Sequence, residues 1–181
     1  MKAIQLWPVL EASNGQAAGL MARLDNLATV LARIFRATCY VRADPMSAGF
    51  ARDYQRNQYH STAILQRLLE LSPDDDIRVL GVTPLDLFVP VFTFVFGEAQ
   101  VGGRCAIVSC HRLREEFYGL PPRPDLLDGR LVKEAVHELG HTFGLQHCDD
   151  WRCVMASSHA VERVDVKGSE FCARCTVKAG L

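Results

Sequence analysis

The segment from residue 137 to residue 147 constrains this chain more than any other part of its sequence. It reads HELGHTFGLQH. In an α-helix each residue is rotated by about 100° from the one before it, so His137 and His141 would lie on one face, one turn apart. Two imidazoles at that separation can bind one metal ion. The segment therefore predicts a helix that carries part of a metal site.

His147 supplies a third possible ligand, but it cannot belong to the same helix, because a helical residue 147 would point away from the metal. Gly144 can end the helix, since glycine tolerates the left-handed conformation that a helix end requires. Three histidines leave the fourth position of a zinc ion open, which is typical of catalytic zinc. Glu138 lies off the ligand face, where a base acting on water is expected. The alternative, surface histidines on an amphipathic helix, does not account for Gly144 and His147 at these offsets.

Four of the seven cysteines fall within the last 34 residues. Cys148 and Cys153 have four residues between them, and Cys172 and Cys175 have two. Both spacings allow a pair of thiolates to bind one metal ion, and two pairs would form a closed tetrahedral zinc site with a structural role. Disulfides and a redox function of the last pair are the alternatives, and the odd cysteine count argues against a disulfide framework. We therefore predict two zinc ions per chain.

Length and charge exclude several classes of protein. The 181 residues are typical of one domain. With 20 basic and 21 acidic side chains, the chain shows neither a nucleic-acid footprint nor a membrane-surface footprint. No stretch is long and apolar enough to span a bilayer. The first apolar run is too short for a signal peptide and is ended by Glu11 and Asn14, so we expect a cytoplasmic protein.

Hydrophobic periodicity predicts alternating strands and helices, and hence an α/β layer built on a twisted sheet. Strands are expected at residues 2–10, 38–42, 77–83, 86–96 and 104–110. Helices are expected at residues 16–36, 53–71 and about 129–144. Asp128 is expected to cap the third helix, and the sequence Ser72-Pro73-Asp74 is expected to end the second.

The strand predicted at 86–96 contains Pro90, which makes part of it an edge or a bulge. A free edge around residues 91–97 could pair with an extended peptide. Phe92, Phe94 and Phe96 alternate along it, so they share one face, which we expect to be part of the core.

The cysteines continue the pattern of the histidines. Cys148 follows His147 directly, Cys153-Val154-Met155 comes next, and Cys172-Ala-Arg-Cys175 closes the pattern. This string resembles the archaemetzincin family of metzincin zinc metallopeptidases, whose HExxHxxGxxH motif it contains. The segment VTPLDLFVPVFTFVFGEA at 82–99 is similar to that family's strand beside the cleft. The stretch between Met155 and Cys172 is one residue shorter than in the family's pattern, which concerns only the length of a loop.

The resemblance implies a compact metzincin-like α/β (α+β) domain with a twisted mixed sheet. An upper lobe, residues 1–145, would include the active-site helix. A lower lobe, residues 146–181, would hold the Met-turn and the four-cysteine zinc site. Met155 would be the Met-turn residue, packed beneath the three histidines.

We therefore expect a zinc metallopeptidase that acts as a monomer on a peptide or protein substrate, with no nucleic-acid or membrane partner. Zinc would be held by His137, His141 and His147, and Glu138 would act as general base. His159 is a candidate for stabilising the oxyanion, or else a surface histidine. The alternative function is a zinc-binding interaction protein with a metzincin fold and little or no peptidase activity. Glu138 argues against this alternative, because a pure binding site needs no base there.

Overall fold

The structure is a computed structural model that describes residues 3–11, 17–72 and 74–181. Lys2 and Gln16, the first residues of the predicted first strand and first helix, lie outside the described residues. The same holds for Asn14 and for Pro73. Among the described helices, none combines the length and the apolar character needed to cross a membrane.

The described residues form strands and helices that alternate along most of the chain. The strands are β1 (Ala3–Leu10), β2 (Thr38–Val41), β3 (Met46–Ser47), β4 (Arg52–Asp53), β5 (Gln58–His60), β6 (Ile77–Thr83), β7 (Leu87–Phe88), β8 (Gly97–Ala99) and β9 (Cys105–Ser109). The α-helices are α1 (Ala17–Phe35), α2 (Ser61–Glu70), α3 (Pro124–Thr142), α4 (Val161–Val166) and α5 (Ala173–Ala179). Short 3-10 helices cover Gly49–Ala51 and Glu115–Tyr118.

The main sheet has the strand order β2-β1-β6-β9-β8, and β3 pairs with the end of β1. All of these pairs are parallel except that of β8 with β9, which is antiparallel. The central strands are apolar on both faces, as is typical of parallel strands covered by helices on both sides. The predicted α/β fold with a mixed sheet is therefore confirmed.

Successive side chains of a strand point to opposite faces of the sheet, and this alternation divides the core into two parts. Leu80 and Val82 of β6 pack in one cluster with residues of α1 and α3. Val79 of β6 and Ile107 of β9 pack in the other cluster with Ile64 of α2. The molecule therefore has three layers, with α1 and α3 on one face of the sheet and α2 on the other.

The second helix is shorter than predicted, because α2 begins at Ser61 and not at residue 53. The preceding residues form the hairpin of β4 and β5. Asp53 starts the turn of this hairpin, since its Oδ1 accepts the backbone N–H groups of Gln55 and Arg56 at 2.9 and 3.0 Å. Such a side-chain-to-backbone turn competes with helix formation. The helix predicted from apolar periodicity is therefore longer than the helix that forms.

The strand predicted at 86–96 is also shorter than expected. Only Leu87–Phe88 and, further on, Gly97–Ala99 are strands. Between them the chain turns, with the N–H of Phe92 donating to the carbonyl of Val89 at 3.0 Å. Phe92 is 61% exposed and Phe96 is 5% exposed, so the three alternating phenylalanines do not all belong to the core.

The third helix begins five residues earlier than predicted, at Pro124. Proline suits the first turn of a helix because the N–H that it lacks has no partner there. Asp128 is therefore not the cap. It lies inside α3 and forms an ion pair with Arg23 of α1.

The chain after α3 packs against the same core as α1 and α3. Val154, Met155 and Val164 are buried in that cluster, and the rings of Phe171 and of Phe35 in α1 form a T-shaped pair with a centroid distance of 5.7 Å. The division into lobes at residue 145 stays a prediction.

Candidate active site

Helix α3 brings two of the predicted ligands together. The Nε2 atoms of His137 and His141 are 3.2 Å apart. Nδ1 of His137 donates to the carbonyl oxygen of Val154 at 2.8 Å, and Nδ1 of His141 donates to that of Leu145 at 2.8 Å. Because a carbonyl can only accept, these contacts place the proton on Nδ1 and leave both Nε2 lone pairs free for a metal.

A glycine turn after α3 brings in the third histidine. Gly144 has a φ of +80°, and its N–H donates to the carbonyl of His141 at 2.9 Å. This left-handed residue ends the helix as predicted. The turn places the carbonyl of Leu145 beside His141 and returns the chain towards α3. The ring of His147 then lies 5.3 Å from that of His137 and 5.2 Å from that of His141, measured between centroids.

The three histidines fit a zinc ion. One ligand nitrogen from each lies within 4.8 Å of the other two. With Zn–N bonds of about 2.0–2.1 Å, the nitrogens of a tetrahedral site are roughly 3.3–3.4 Å apart. The 3.2 Å between His137 and His141 is close to that value. Burial lowers the pKa of all three imidazoles, and the charge of Lys167 adds to this effect. Lower pKa values favour neutral imidazole, the form that binds a metal.

Glu138 lies against the strand β8 and not among the ligands. A Cβ placed on Gly97 would come within 2.6 Å of both Cγ and Oε1 of Glu138, so the missing side chain of Gly97 makes room for this carboxylate. Burial, followed by the negative charge of Glu134, raises the pKa of Glu138 well above its usual range. A cation close to the carboxylate acts in the opposite direction and favours the ionised form, which a general base requires.

Met155 packs beneath the middle of the histidine motif. It is fully buried. A Cβ placed on Gly140 would lie 2.5 Å from its Sδ, so the sulfur occupies the space that this glycine leaves on α3. The residue before it, Val154, accepts the hydrogen bond from His137. The turn around Met155 therefore contacts α3 both through a side chain and through the backbone.

The histidines and Glu138 open into a cleft with a volume of about 470 Å³. The cleft is lined by β8 and the loop before it, and also by Ser157, Ser158 and His159. Strand β8 is at the edge of the sheet. The cleft therefore has a strand edge along one side, as a site for an extended peptide requires.

The edge of β8 offers backbone groups to the cleft. The carbonyl of Phe96 accepts from Ser109 at 2.7 Å, and the N–H of Gln100 donates to Cys105 at 3.0 Å, so both residues face β9. In an antiparallel pair these directions alternate, and the backbone groups of Gly97 and Ala99 therefore face away from β9. The edge around 91–97 was thus predicted a few residues too early.

The four cysteines form a second cluster. Their Sγ atoms all lie within 4.8 Å of one another, and those of Cys148 and Cys172 are 3.8 Å apart. Four thiolates at the usual Zn–S distance of about 2.3 Å would also be roughly 3.8 Å apart. All seven cysteines are free thiols. The donor set fits a closed zinc site, and the disulfide alternative has no support.

Nearby donors favour the thiolate form of part of this cluster. Burial raises the pKa of Cys148, but hydrogen bonds from Arg174 and from the N–H of Asp150 outweigh it and bring the pKa to about 7. The N–H of Cys172 donates to Sγ of Cys153 at 3.3 Å, although burial still raises the pKa of Cys153 and of Cys175. Thiolate is the form that binds a metal, so these contacts are consistent with a zinc ligand set.

The sequence did not reveal a buried ion pair behind the histidines. Nζ of Lys167 lies 2.7 Å from Oε1 of Glu134, and their side chains are 1% and 4% exposed. The same ammonium lies 3.3 Å from the carbonyl of Ala156 and 3.4 Å from Nδ1 of His137. Glu134 could have been suspected, because it lies one helical turn before Glu138. Lys167 is 30 residues beyond His137 and carries no local signal.

Comparison with known proteins places this geometry in a family. Residues 32–179 match the model of peptidase family M54. The archaemetzincin of Methanocaldococcus jannaschii is 46% identical over 129 residues, which are 71% of this chain and 70% of that protein. The crystal structure of archaemetzincin from Methanopyrus kandleri has a TM-score of 0.80 at 37% identity and covers 98% of this chain and 94% of its own.

A second solved structure, a zinc-dependent peptidase from Methanocorpusculum labreanum, has a TM-score of 0.83 at 29% identity and covers 98% of this chain and all of its own. The family match spans the histidine motif, the cysteine cluster and most of the sheet. The chain therefore belongs to peptidase family M54, the archaemetzincins, and is a zinc metallopeptidase.

Proposed function

We propose that this peptidase binds its catalytic zinc through His137, His141 and His147, that Glu138 is its general base, and that Cys148, Cys153, Cys172 and Cys175 hold a second, structural zinc. One observation carries the proposal. Three imidazoles with lowered pKa values converge beside a buried carboxylate, in a cleft that also borders a free strand edge.

The residues around the cleft have different roles in the proposed reaction. His137, His141 and His147 would hold a zinc ion, which would supply Lewis-acid chemistry to water and to the scissile carbonyl. Val154 and Leu145 hold the imidazoles of His137 and His141 in the tautomer that binds metal. Glu138 takes a proton from the attacking water and later donates it to the leaving amine.

The peptide would lie along β8. The outward N–H and C=O groups of Gly97 and Ala99 can pair with its backbone, as in other proteins that bind an extended peptide at a sheet edge. Such pairing would hold the scissile bond beside the histidines whatever the side chains of the peptide are. His159 stays a candidate for stabilising the oxyanion, since it lines the same cleft as the three histidines and is exposed.

The zinc at the four cysteines would stabilise the fold and would not contact the substrate, since four thiolates leave no open coordination position. We also propose that the protein is a cytoplasmic monomer with no nucleic-acid or membrane partner. The near balance of 20 basic and 21 acidic side chains supports the absence of a nucleic-acid partner.

The test of the catalytic assignment compares Glu138→Ala with His141→Ala. Glu138 is not a ligand, so Glu138→Ala should keep two zinc ions and lose peptide hydrolysis by about 10²–10⁴-fold. His141→Ala should lose one zinc ion together with the activity. Zinc is measured by elemental analysis, and hydrolysis by digesting a peptide library and recording intact masses.

Three outcomes would count against the proposal. If Glu138→Ala kept most of its activity, another base would be needed. If the unaltered protein, supplied with zinc, bound one equivalent or fewer, the second zinc would be wrong. A small hydroxamate should bind at the open position of the catalytic zinc, and failure to bind would favour the alternative of a closed, non-catalytic site.

A further inference from the structure

Lys167 is a buried cation whose position calls for an explanation. Its side chain is 1% exposed, and the ammonium has contacts with Glu134, with the carbonyl of Ala156 and with His137. Burying a charged pair is costly, and such a pair is often no more stabilising than two apolar residues of the same size. A contribution to overall stability alone is therefore a weak explanation for it.

Residues other than Lys167 already bind α4, which precedes it in the chain, to α3. Lys133 donates to the carbonyls of Val164 and Asp165, at the end of α4, at 2.9 and 2.8 Å. Arg130 forms an ion pair with Asp165 at 2.7 Å. Lys167 follows α4 directly, but its ammonium reaches past these contacts to the histidine site. Attachment of α4 therefore does not require Lys167.

The hydrogen bond from His137, a predicted zinc ligand, to the carbonyl of Val154 joins α3 to the turn of residues 154–156. Lys167 contacts both of these segments. His137 donates to the carbonyl of Val154, and Lys167 binds the carbonyl of Ala156, two residues further on. Met155 is the residue between these two carbonyls. On the other side, Glu134 lies one turn before His137 on α3. The ion pair thus connects the helix that carries His137 with the turn that orients it.

We propose that Lys167, together with Glu134, is a positioning residue for His137. The pair holds the turn of residues 154–156 against α3, so that the carbonyl of Val154 stays within hydrogen-bond distance of Nδ1 and Nε2 keeps its direction towards the metal. Groups that orient a metal ligand in this way commonly change metal affinity by about 10–100-fold when they are lost. The inference rests on the proposed function in one respect, since it takes His137 as a zinc ligand.

The experiment compares two variants with the unaltered protein. Lys167→Met alone would leave the Glu134 carboxylate buried without a partner, so it is combined with Glu134→Gln. The matched control is Lys133→Met, which loosens α4 but removes no contact with His137. Zinc affinity of the histidine site is measured by competition with a chromophoric chelator, with the cysteine site kept loaded, and thermal melting is recorded alongside.

We expect the double variant to bind zinc at the histidine site about 10–100-fold more weakly, while the cysteine site keeps its zinc. Lys133→Met should lower the melting temperature without this loss of affinity. If the double variant does not fold, Glu134→Gln alone, which replaces the ion pair by a weaker hydrogen bond from Lys167 to a neutral carbonyl, should still bind zinc more weakly than the unaltered protein.

Two results would overturn the inference. One is a double variant, or Glu134→Gln where that is used, whose affinity equals that of the unaltered protein. The other is Lys133→Met weakening zinc binding as much as the double variant, which would mean that any loosening of α4 has this effect. A different failure, in which the unaltered protein binds no more zinc than His141→Ala, would overturn the proposed function along with the inference.

Discussion

The histidine cluster and the cysteine cluster are close along the chain but are built in different ways. His137 and His141 are placed by a helix of 19 residues that packs against the sheet and α1. The cysteines lie in the turns after Gly144 and at the start of α5, which has seven residues. Backbone carbonyls orient two of the histidines, whereas the cysteine sulfurs contact one another, Arg174 and backbone N–H groups of the same short segments.

This difference predicts different roles for the two zinc ions. A site whose ligands are held by a large core should keep its geometry when the metal leaves. A site built from short segments, which are too small to have a core of their own, should need the metal in order to fold. Removing either metal or its ligands therefore tests the comparison directly.

The largest effect is expected from Cys172→Ser. The free energy of binding a structural zinc is about 10 kcal/mol or more, and here it would be part of the free energy of folding. The variant should lose cooperative melting or aggregate, as followed by calorimetry and light scattering. Cys39→Ser, outside the cluster, is the control and should melt like the parent. A Cys172→Ser protein that also melts like the parent would show that the cluster is dispensable.

Acidification should separate the two sites. Unperturbed histidines protonate near pH 6.5. Burial lowers the pKa of the three ligands, so they stay neutral below that pH and lose the metal only as the pH falls through their lowered values. Four thiolates should hold their zinc more tightly. We expect the zinc ion at the histidines to leave first and peptide hydrolysis to be lost with it, while the cysteine zinc and the fold persist.

This release is measured by dialysis at stepwise lower pH, with zinc analysis beside circular dichroism. Loss of both ions in one step, together with the fold, would mean that the histidine site depends on the cysteine site more than their different construction suggests.

Gly97→Ala should have a smaller effect, seen in catalysis and to some extent in stability. The added methyl group would lie 2.5 Å from the backbone carbonyl of Ile107 and 2.6 Å from Glu138, so both the pairing of β8 with β9 and the carboxylate must shift. Misplacing a catalytic group by about 1 Å can cost on the order of 100-fold, and we expect about 10- to 100-fold in kcat with both zinc ions retained. A variant that loses zinc instead would show that Gly97 supports the ligands and not the base.

The smallest effect is expected from Gly129→Ala, on the exposed side of α3. No atom lies within 4 Å of the position that its Cβ would take. Alanine is favoured over glycine inside a helix, so stability should rise by about 0.5–1 kcal/mol. Urea unfolding measures this gain. Zinc content and activity should not change, and any change in either would mean that the histidine geometry is sensitive to the rigidity of α3.

The parts of the site that were predictable from the sequence have local causes. A helical spacing of four residues, a glycine that ends the helix and short cysteine spacings each act within one segment, so His137, Gly144 and Cys172 could be assigned from their neighbours. The fold class followed from apolar runs long enough to mark the central strands β1, β6 and β9.

The rest depends on contacts between distant segments. The Asp53 turn replaces the start of a helix that periodicity alone favoured. Gly97 matters because α3 lies beside β8, and Lys167 matters because α4 returns the chain to α3. No pattern within 10 residues of either position indicates these contacts.

The free edge of β8 also bears on how copies of the protein behave towards each other. An exposed strand edge is a template for pairing with a second molecule, and long flat edges promote aggregation. Here the strand has three residues, and only Gly97 and Ala99 direct their backbone groups outward. The irregular loop on one side and the turn at 100–104 on the other interrupt the edge. It is therefore long enough to align a short peptide and too short to nucleate a sheet between molecules.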